Sequence, residues 1–463
     1  MSRKSLASND IGRGEVFLHI SPAVSGGWQW ITIDTGNALR ARLKAGAIVF
    51  LRGIHTLNVS RWYLRWQFLF RFRLRTFLIF VALVAILSAW LGKHAVRTAV
   101  QRSVVAKINT AGGTVYYQHQ QDPELKHIDT RRLAPGAEWL RAVLGDDFFA
   151  TVTFVKLDEP TTTDAVVTEL PRLRDLLDVS LDGAGVTDAC VDDLLQISKL
   201  RSLSLSNTSI SADGIRRLSQ SETLQSITLW GSNATDEHLK HLPDFQRLRH
   251  VALIRSPVTD VGMASIGKLR GLISLKLFEA KRVTDRGFAS LRDLRELQEL
   301  HVLNTAITDQ SLKTIARFKK LWILHLWGLP SAGNTEIRSL AQLGDLRYLF
   351  VQGSAFGDAG MESLSNCKKL EHVNASDTKV TDRGVAHVVT LPKLKWIDLG
   401  NTAITNAGLL PLAVSPSITW IAVGINSDLT MEGVEDFKAK RPECAVECRE
   451  YDASGGWTVK GAK

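Results

Sequence analysis

From about residue 150 to about residue 440 the apolar positions alternate between two periods. Blocks of the form L-x-x-L-x-L, such as "LRSLSL" from Leu200, "LISLKL" from Leu272, "LQELHV" from Leu297 and "LKWIDL" from Leu394, carry the period-two alternation of a strand with one buried face. Each block leads into a turn, often written N-T (Asn207, Asn304, Asn401), and then into a polar T-D step. Apolar residues then return at helical spacing, as in Leu312, Ile315, Phe318 and Leu321. The pattern predicts a strand, a turn, a short helix and a return in every unit. The Thr or Asp at the helix opening can accept from its first free N–H groups, and the Asp charge suits a helix N-terminus.

The T-D step keeps a strict register. It reads "VTDAC" at Val186, "ISADGI" at Ile210, "ATDEHL" at Ala234, "VTDVGM" at Val258, "VTDRGF" at Val283 and "ITDQSL" at Ile307. After one irregular unit it resumes as "FGDAGM" at Phe356, "VTDRGV" at Val380, "ITNAGL" at Ile404 and "LTMEGV" at Leu429. The steps are 24 or 25 residues, with one of 49 across the irregular unit, and a further step back reaches Thr162 in "TTTDAV". About twelve units therefore fill the larger part of the chain. A single strand–helix coil cannot bury its own apolar face, so the units must stack into a solenoid.

These units resemble the leucine-rich repeat superfamily, in its class of 24-residue repeats of the ribonuclease-inhibitor-like and cysteine-containing kinds. The resemblance covers roughly 290 residues. The chain as a whole resembles bacterial single-pass membrane proteins that carry such repeats after an arginine-flanked helix. The resemblance implies an α/β fold, a right-handed solenoid with a parallel sheet on its concave face and short helices on its convex face. It also implies a protein or peptide partner and no cofactor. Where the cysteine-containing kind often has Cys after the strand, this chain has Asn207, Asn304, Asp377 and Asn401, and it has no F-box segment. A role in ubiquitin ligation is therefore not implied.

Upstream of the repeats the pattern changes. Residues 76–92, "TFLIFVALVAILSAWLG", form 17 uncharged positions between Arg71, Arg73 and Arg75 on one side and Lys93 and Arg97 on the other. This is enough to cross ~30 Å of hydrocarbon if flanking arginines reach the interface. A buried core helix would not be bracketed by charge clusters, and a cleaved leader would not follow 75 residues. Beyond the span, Val96, Ala99, Val100, Val104 and Ile108 recur at helical spacing and suggest a juxtamembrane helix able to self-associate. The expected organisation is a basic segment over 1–75, a transmembrane helix over 76–92, and a juxtamembrane helix with linker over 93–134. The repeat domain with its N-terminal cap then runs over 135–440, and a tail over 441–463.

Charge sharpens this division. Of 57 Lys and Arg and 47 Asp and Glu, residues 1–107 hold 16 and 3, leaving 41 and 44 for the remainder. The basicity belongs to the N-terminal quarter, so the high pI does not point to nucleic acid. Within 15 residues of the span, five basic residues precede it and four follow. Together with the N-terminal excess, this places the N-terminus in the cytoplasm and the repeats outside it, at the cell membrane.

Both ends of a solenoid need covers. The stretch 136–149, with Trp139, Leu140, Val143, Leu144, Phe148 and Phe149, is expected to close the first coil, and the charged segment from Met431 the last. Four cysteines make no disulfide framework; Cys444 and Cys448 could pair or stay free, while Cys190 and Cys367 suit the core. No phosphate loop, dinucleotide fingerprint, zinc-helix or nucleophile-elbow motif occurs, and the S-x-x-K match at Ser365 and Lys368 lacks its companion motifs. No enzymatic activity is expected.

The candidate chemistry lies in the residues between the core leucines, which line the concave sheet. The column after the second core position contains Trp230, Ile254, Phe278, Leu303 and Trp327 in five consecutive units. The column beside it contains Lys276, His301, His325 and Phe350, and a third carries Ile323, Tyr348, Trp396 and Trp420. His301 and His325 should stand ~4.8 Å apart, where two imidazoles could share a metal or sense pH, or simply face solvent as polar residues. No third ligand is evident, and no metal is expected. The apolar column is expected to bind a protein or peptide, with Lys276, His301, His325, Tyr348 and Phe350 beside it. The alternatives are a cross-strand stack that stiffens the sheet, and a structural, self-associating envelope protein.

Overall fold

In the computed structural model the described residues are 74–121, 128–159, 162–183, 185–231, 234–328, 336–426, 428–451 and 457–460. The basic segment before residue 74 and residues 329–335 of the irregular unit lie outside them. The chain divides into a unit of Met1–Leu87 and a unit of Ser88–Lys463. In the first, the described residues are helical and present Phe77, Leu78, Ile79, Phe80 and Leu83 to the surroundings. They belong to helix α1, Leu74–Thr110, whose stretch Arg75–Thr110 is long and apolar enough to cross a membrane.

The second unit is a single sheet of strands in sequence order, backed by short helices. The strands are Thr114–Tyr117 (β1), Val152–Leu157 (β2), Asp178–Asp182 (β3), Ser202–Ser206 (β4), Ser226–Trp230 (β5), His250–Ile254 (β6), Ser274–Phe278 (β7) and Glu299–Leu303 (β8). They continue as Ile323–Trp327 (β9), Tyr348–Phe350 (β10), His372–Asn374 (β11), Trp396–Leu399 (β12), Trp420–Ile425 (β13), Ala445–Tyr451 (β14) and Trp457–Lys460 (β15). From β2 to β14 every neighbouring pair is parallel, while β1 on β2 and β15 on β14 are antiparallel. From β2 to β14 the alternate apolar residues are buried, as at Leu203 and Leu205 or Leu324 and Leu326, and one continuous core runs from Val104 to Cys448.

The T-D-x-G motif does more than open a helix. Thr caps its own helix, as where the Thr259 hydroxyl accepts from the Val261 N–H. The Asp, expected to cap the same helix, reaches instead to the next coil. Asp236 accepts from the Thr259 N–H at 2.9 Å, the Thr259 hydroxyl at 2.6 Å and the Gly262 N–H at 3.0 Å. The same reach links Asp164 to Thr187, Asp260 to Thr284, Asp285 to Thr308, Asp358 to Thr381 and Asp382 to Thr405. The motif's Gly belongs to this joint, because a Cβ on Gly262 would lie 2.4 Å from Asp236 Oδ1. Burial opposes ionisation of Asp285, yet hydrogen bonds from Ser311 and Thr308 outweigh it and hold the carboxyl below its ordinary range. In one unit Ala212 replaces the Asp, and His238 Nδ1 takes over, 2.9 Å from the Thr235 hydroxyl.

The N-terminal end differs from expectation. The short helix Glu138–Leu144 forms, with Trp139 and Val143 68% and 75% exposed while Leu140, Leu144, Phe148 and Phe149 are half-buried. The first coil is closed instead by the C-terminal half of α1. Val104 and Ile108, one turn apart on one face, are fully buried in the repeat core. Beside them the buried Gln101 donates to the Ala150 carbonyl at 2.9 Å and accepts from the Val152 N–H at 3.4 Å. Its amide thereby satisfies backbone at the entry to β2, as a neighbouring strand would. Two residues of the stripe expected to self-associate, Val104 and Ile108, are thus spent on the chain's own end, while Val96 and Ala99 stay exposed. At the other end, the helix from Met431 buries Val434 and Phe437, and residues 445–451, expected as part of a tail, extend the sheet. The alternation in "AVECREY" makes β14 a further parallel strand, with Val446 and Cys448 buried. All four cysteines are free and buried. Cys444 and Cys448, four extended residues apart, lie about 13 Å from each other along the chain, beyond disulfide reach.

Candidate functional site

Strand pairing sets the concave columns in register. Trp230 pairs with Ile254, Ile254 with Phe278, Phe278 with Leu303 and Leu303 with Trp327. In the adjacent column Lys276 pairs with His301, His301 with His325 and His325 with Phe350. Tyr348 pairs with Ile323 one column further. All ten candidate residues therefore share one face of β5 to β10. Ile254, Phe278 and Leu303 are half-buried, whereas Trp230 and Trp327 at the two ends are 39% and 46% exposed. The ring of Trp327 lies against Gly353, where a Cβ would come within 3.2 Å of it. Gly353 also sits at φ +66°, a conformation glycine adopts freely.

A second apolar feature behaves differently. Tyr348 stacks on His372 at 4.6 Å, His372 faces Trp396 at 6.0 Å, and Trp396 stacks on Trp420 at 4.5 Å with ring planes 3° apart. These rings spend their faces on one another. The stiffening cross-strand stack expected as an alternative for the Trp230 column exists, but it occupies the third column, in the C-terminal half. Sequence reasoning placed Tyr348, Trp396 and Trp420 together but missed His372, the ring that joins them. Its 24-residue offset from both neighbours was the available signal.

The two central histidines stand between phenylalanines. Ring centres follow at 6.3 Å from Phe278 to His301, 5.7 Å from His301 to His325 and 5.1 Å from His325 to Phe350. Burial, with help from the Lys276 ammonium, pushes the His301 imidazole down to about 4, and burial with the His301 charge does the same to His325. Both are neutral near pH 7. His325 Nε2 lies 2.9 Å from the Gln352 amide nitrogen, which suits an acceptor imidazole. Among the described residues no three His, Cys, Asp or Glu side chains gather as a metal site.

The C-terminal end of the same face holds a polar group that the sequence did not announce. Asp398 is buried, and Arg449 Nη1 from β14 donates to it at 2.7 Å while Arg449 Nε donates to Glu447 at 2.8 Å. Burial raises the Asp398 carboxyl, against the pull of the Gly400 N–H and of Arg449. The two partners lie 51 residues apart, so no local pattern connects them.

Thirteen parallel strands spaced by 24- or 25-residue coils, each with its short convex helix, decide the architecture. The fold is a leucine-rich repeat solenoid. No family model matches the chain, and no curated protein matches it. Among solved structures, this leucine-rich repeat chain is similar to an internalin (inlF) from Listeria monocytogenes, with 18% identity, 56% of this chain and 78% of that one covered, and a TM-score of 0.39. It is also similar to the plant peptide hormone receptor RGFR1 in complex with RGF2, at 14% identity over 56% of this chain and 49% of that one, with a TM-score of 0.36. A third, internalin C2 (inlC2) from Listeria monocytogenes, shares 20% identity over 57% of this chain and 84% of that one, with a TM-score of 0.30.

Proposed function

We propose that the protein is a non-enzymatic interaction module, anchored in the cell membrane by α1, that holds an extended segment of a protein partner on its concave face. One observation carries this reading: two exposed tryptophans, Trp230 and Trp327, bracket an in-register apolar ladder. Four strand steps give the ladder about 19 Å, the length of five or six extended residues. Exposed aromatics that become desolvated on docking are the usual anchors of protein recognition. The stacked rings from Tyr348 to Trp420 stiffen the sheet beside the ladder without competing for its partner. The apolar helix and the basic residues around it support a single-pass anchor with the N-terminus in the cytoplasm and the repeats outside.

The test uses the full chain in detergent, with partners captured by cross-linking in membranes. Trp230→Ala and Trp327→Ala should each weaken capture by roughly thirtyfold, as truncation of a ~2 kcal/mol anchor does, with oligomeric state unchanged. Conversion of a dimer to a monomer would instead show that a second copy occupies the ladder. Unchanged capture and unchanged oligomeric state would sink the reading.

A further inference from the structure

After each of the concave strands β4 to β12 the chain turns through the left-handed region. Asn207, Asn304, Asp377 and Asn401 take this turn at φ 49–56°, and Gly231, Gly328 and Gly353 take it at φ 92°, 67° and 66°. These residue types adopt the conformation with little steric penalty. Two adjacent coils depart from the rule, with Arg255 at φ 49° and Glu279 at φ 55°. A long side chain on a β-carbon meets the clash there that glycine avoids, so the fold alone would be better served by Gly or Asn. Their mutual contact, Nε to Oε1 at 3.2 Å, joins side chains that are 62% and 38% exposed. An exposed pair of that kind stabilises too little to offset two strained turns.

The location gives the strain its meaning. Arg255 directly follows Ile254 and Glu279 directly follows Phe278, so the pair stands on the rim of the ladder's middle. The Arg255 guanidinium carbon is also 6.0 Å from the Trp230 ring centre, within cation–π range. Glu279 engages Nε, so the two Nη groups of this exposed guanidinium remain donors suited to a carboxylate. Lys276 stands in the adjacent concave column, and Lys281 and Arg282 are exposed just beyond Glu279 in the same turn.

We infer that Arg255 and Glu279 read charge at this docking face, and that its occupant is an extended acidic segment. A carboxylate side chain of that segment sits on Arg255 above Trp230, and its apolar side chains lie on Ile254, Phe278 and Leu303. The inference rests on the concave face being the docking surface. Peptides of about ten residues test it against the full chain in detergent, by fluorescence anisotropy. One alternates apolar with Asp and Glu residues, a second carries Lys in place of the acids, and a third carries Ser in place of the apolar residues.

The acidic peptide should bind about tenfold tighter than its lysine counterpart, and Arg255→Glu should abolish or reverse that preference. Arg255→Gly should remove the preference as well while raising the melting temperature, since the turn is relieved; a residue kept for stability alone would not separate the two. Equal binding of the acidic and lysine peptides overturns the charge reading and leaves the apolar docking face standing. Binding of the serine peptide as tight as the acidic one overturns the docking face itself. Failure of all three to bind overturns both.

Discussion

Replacing Asp236 by Ala removes one coil-to-coil joint and leaves the core untouched. Three donors lose their acceptor: the Thr259 N–H, the Thr259 hydroxyl and the Gly262 N–H. Hydrogen bonds to a charged group contribute about 1.5–3 kcal/mol each when buried, and these are partly exposed, so the total falls to about 2–4 kcal/mol. Asp236→Asn should cost about 1 kcal/mol, because the amide oxygen still accepts and the hydroxyl can turn to accept from the amide NH2. The chain already contains that arrangement. Asn406 Oδ1 accepts from the Thr430 N–H at 3.0 Å, and its Nδ2 donates to the Thr430 hydroxyl at 3.1 Å. Urea unfolding followed by tryptophan fluorescence measures both variants, and a double-mutant cycle with Thr259→Ala isolates the joint. Because each coil contacts its neighbours, the alanine variant should also broaden or split the transition. Equal loss for Ala and Asn, or a coupling near zero with Thr259, would refute the idea that the motif links coils.

Three further outcomes follow from the same structure. His301 and His325 sit at about 4 in the folded chain against 6.5 ordinarily, so the unfolded chain binds protons first and stability falls as pH drops from 6.5 towards 4. Discounted for partial exposure, each contributes about 1–2 kcal/mol of loss by pH 4, and the double variant His301→Gln with His325→Gln should flatten the melting profile over that range. Gln101→Leu should cost about 1–3 kcal/mol by orphaning backbone at Ala150 and Val152, and hydrogen exchange should rise first at Val152. Burial pushes the Cys190 thiol up to about 12 and Cys367 up to about 11, so a thiol reagent at pH 8 should label neither until denaturant is added.

What could be read in advance followed periodicity. The 24-residue step yields the strands, their parallel order and the concave columns, because a strand period of two leaves no choice of face once the leucines are buried. The ten candidate residues shared a face for that reason. The N-terminal end was misread because capping is not periodic. The helical spacing of Val104 and Ile108 was visible, but a sequence does not say whether an apolar stripe meets another chain or its own first coil. The Asp of the motif was misassigned for a related reason. Its partner lies 23 residues on, at a distance that propensity rules for a single helix never examine. The left-handed turns at Arg255 and Glu279 were also legible in principle, as the two departures from an otherwise Asn, Asp and Gly column.

The coil-to-coil joint has a consequence for how such a chain lengthens. Most units offer a Thr to the one before and an Asp to the one after, with Ala212, Gly357 and Met431 among the departures, so a block cut between two T-D units has matching ends. Duplicating or deleting one whole block would leave every joint intact and shift the spacing of concave anchors by a single strand step, about 4.8 Å. Partial insertions would strand an acceptor and its donors on different registers. The distance between Trp230 and Trp327 is therefore adjustable in whole steps, and a ruler of that kind selects partners by the spacing of their own side chains.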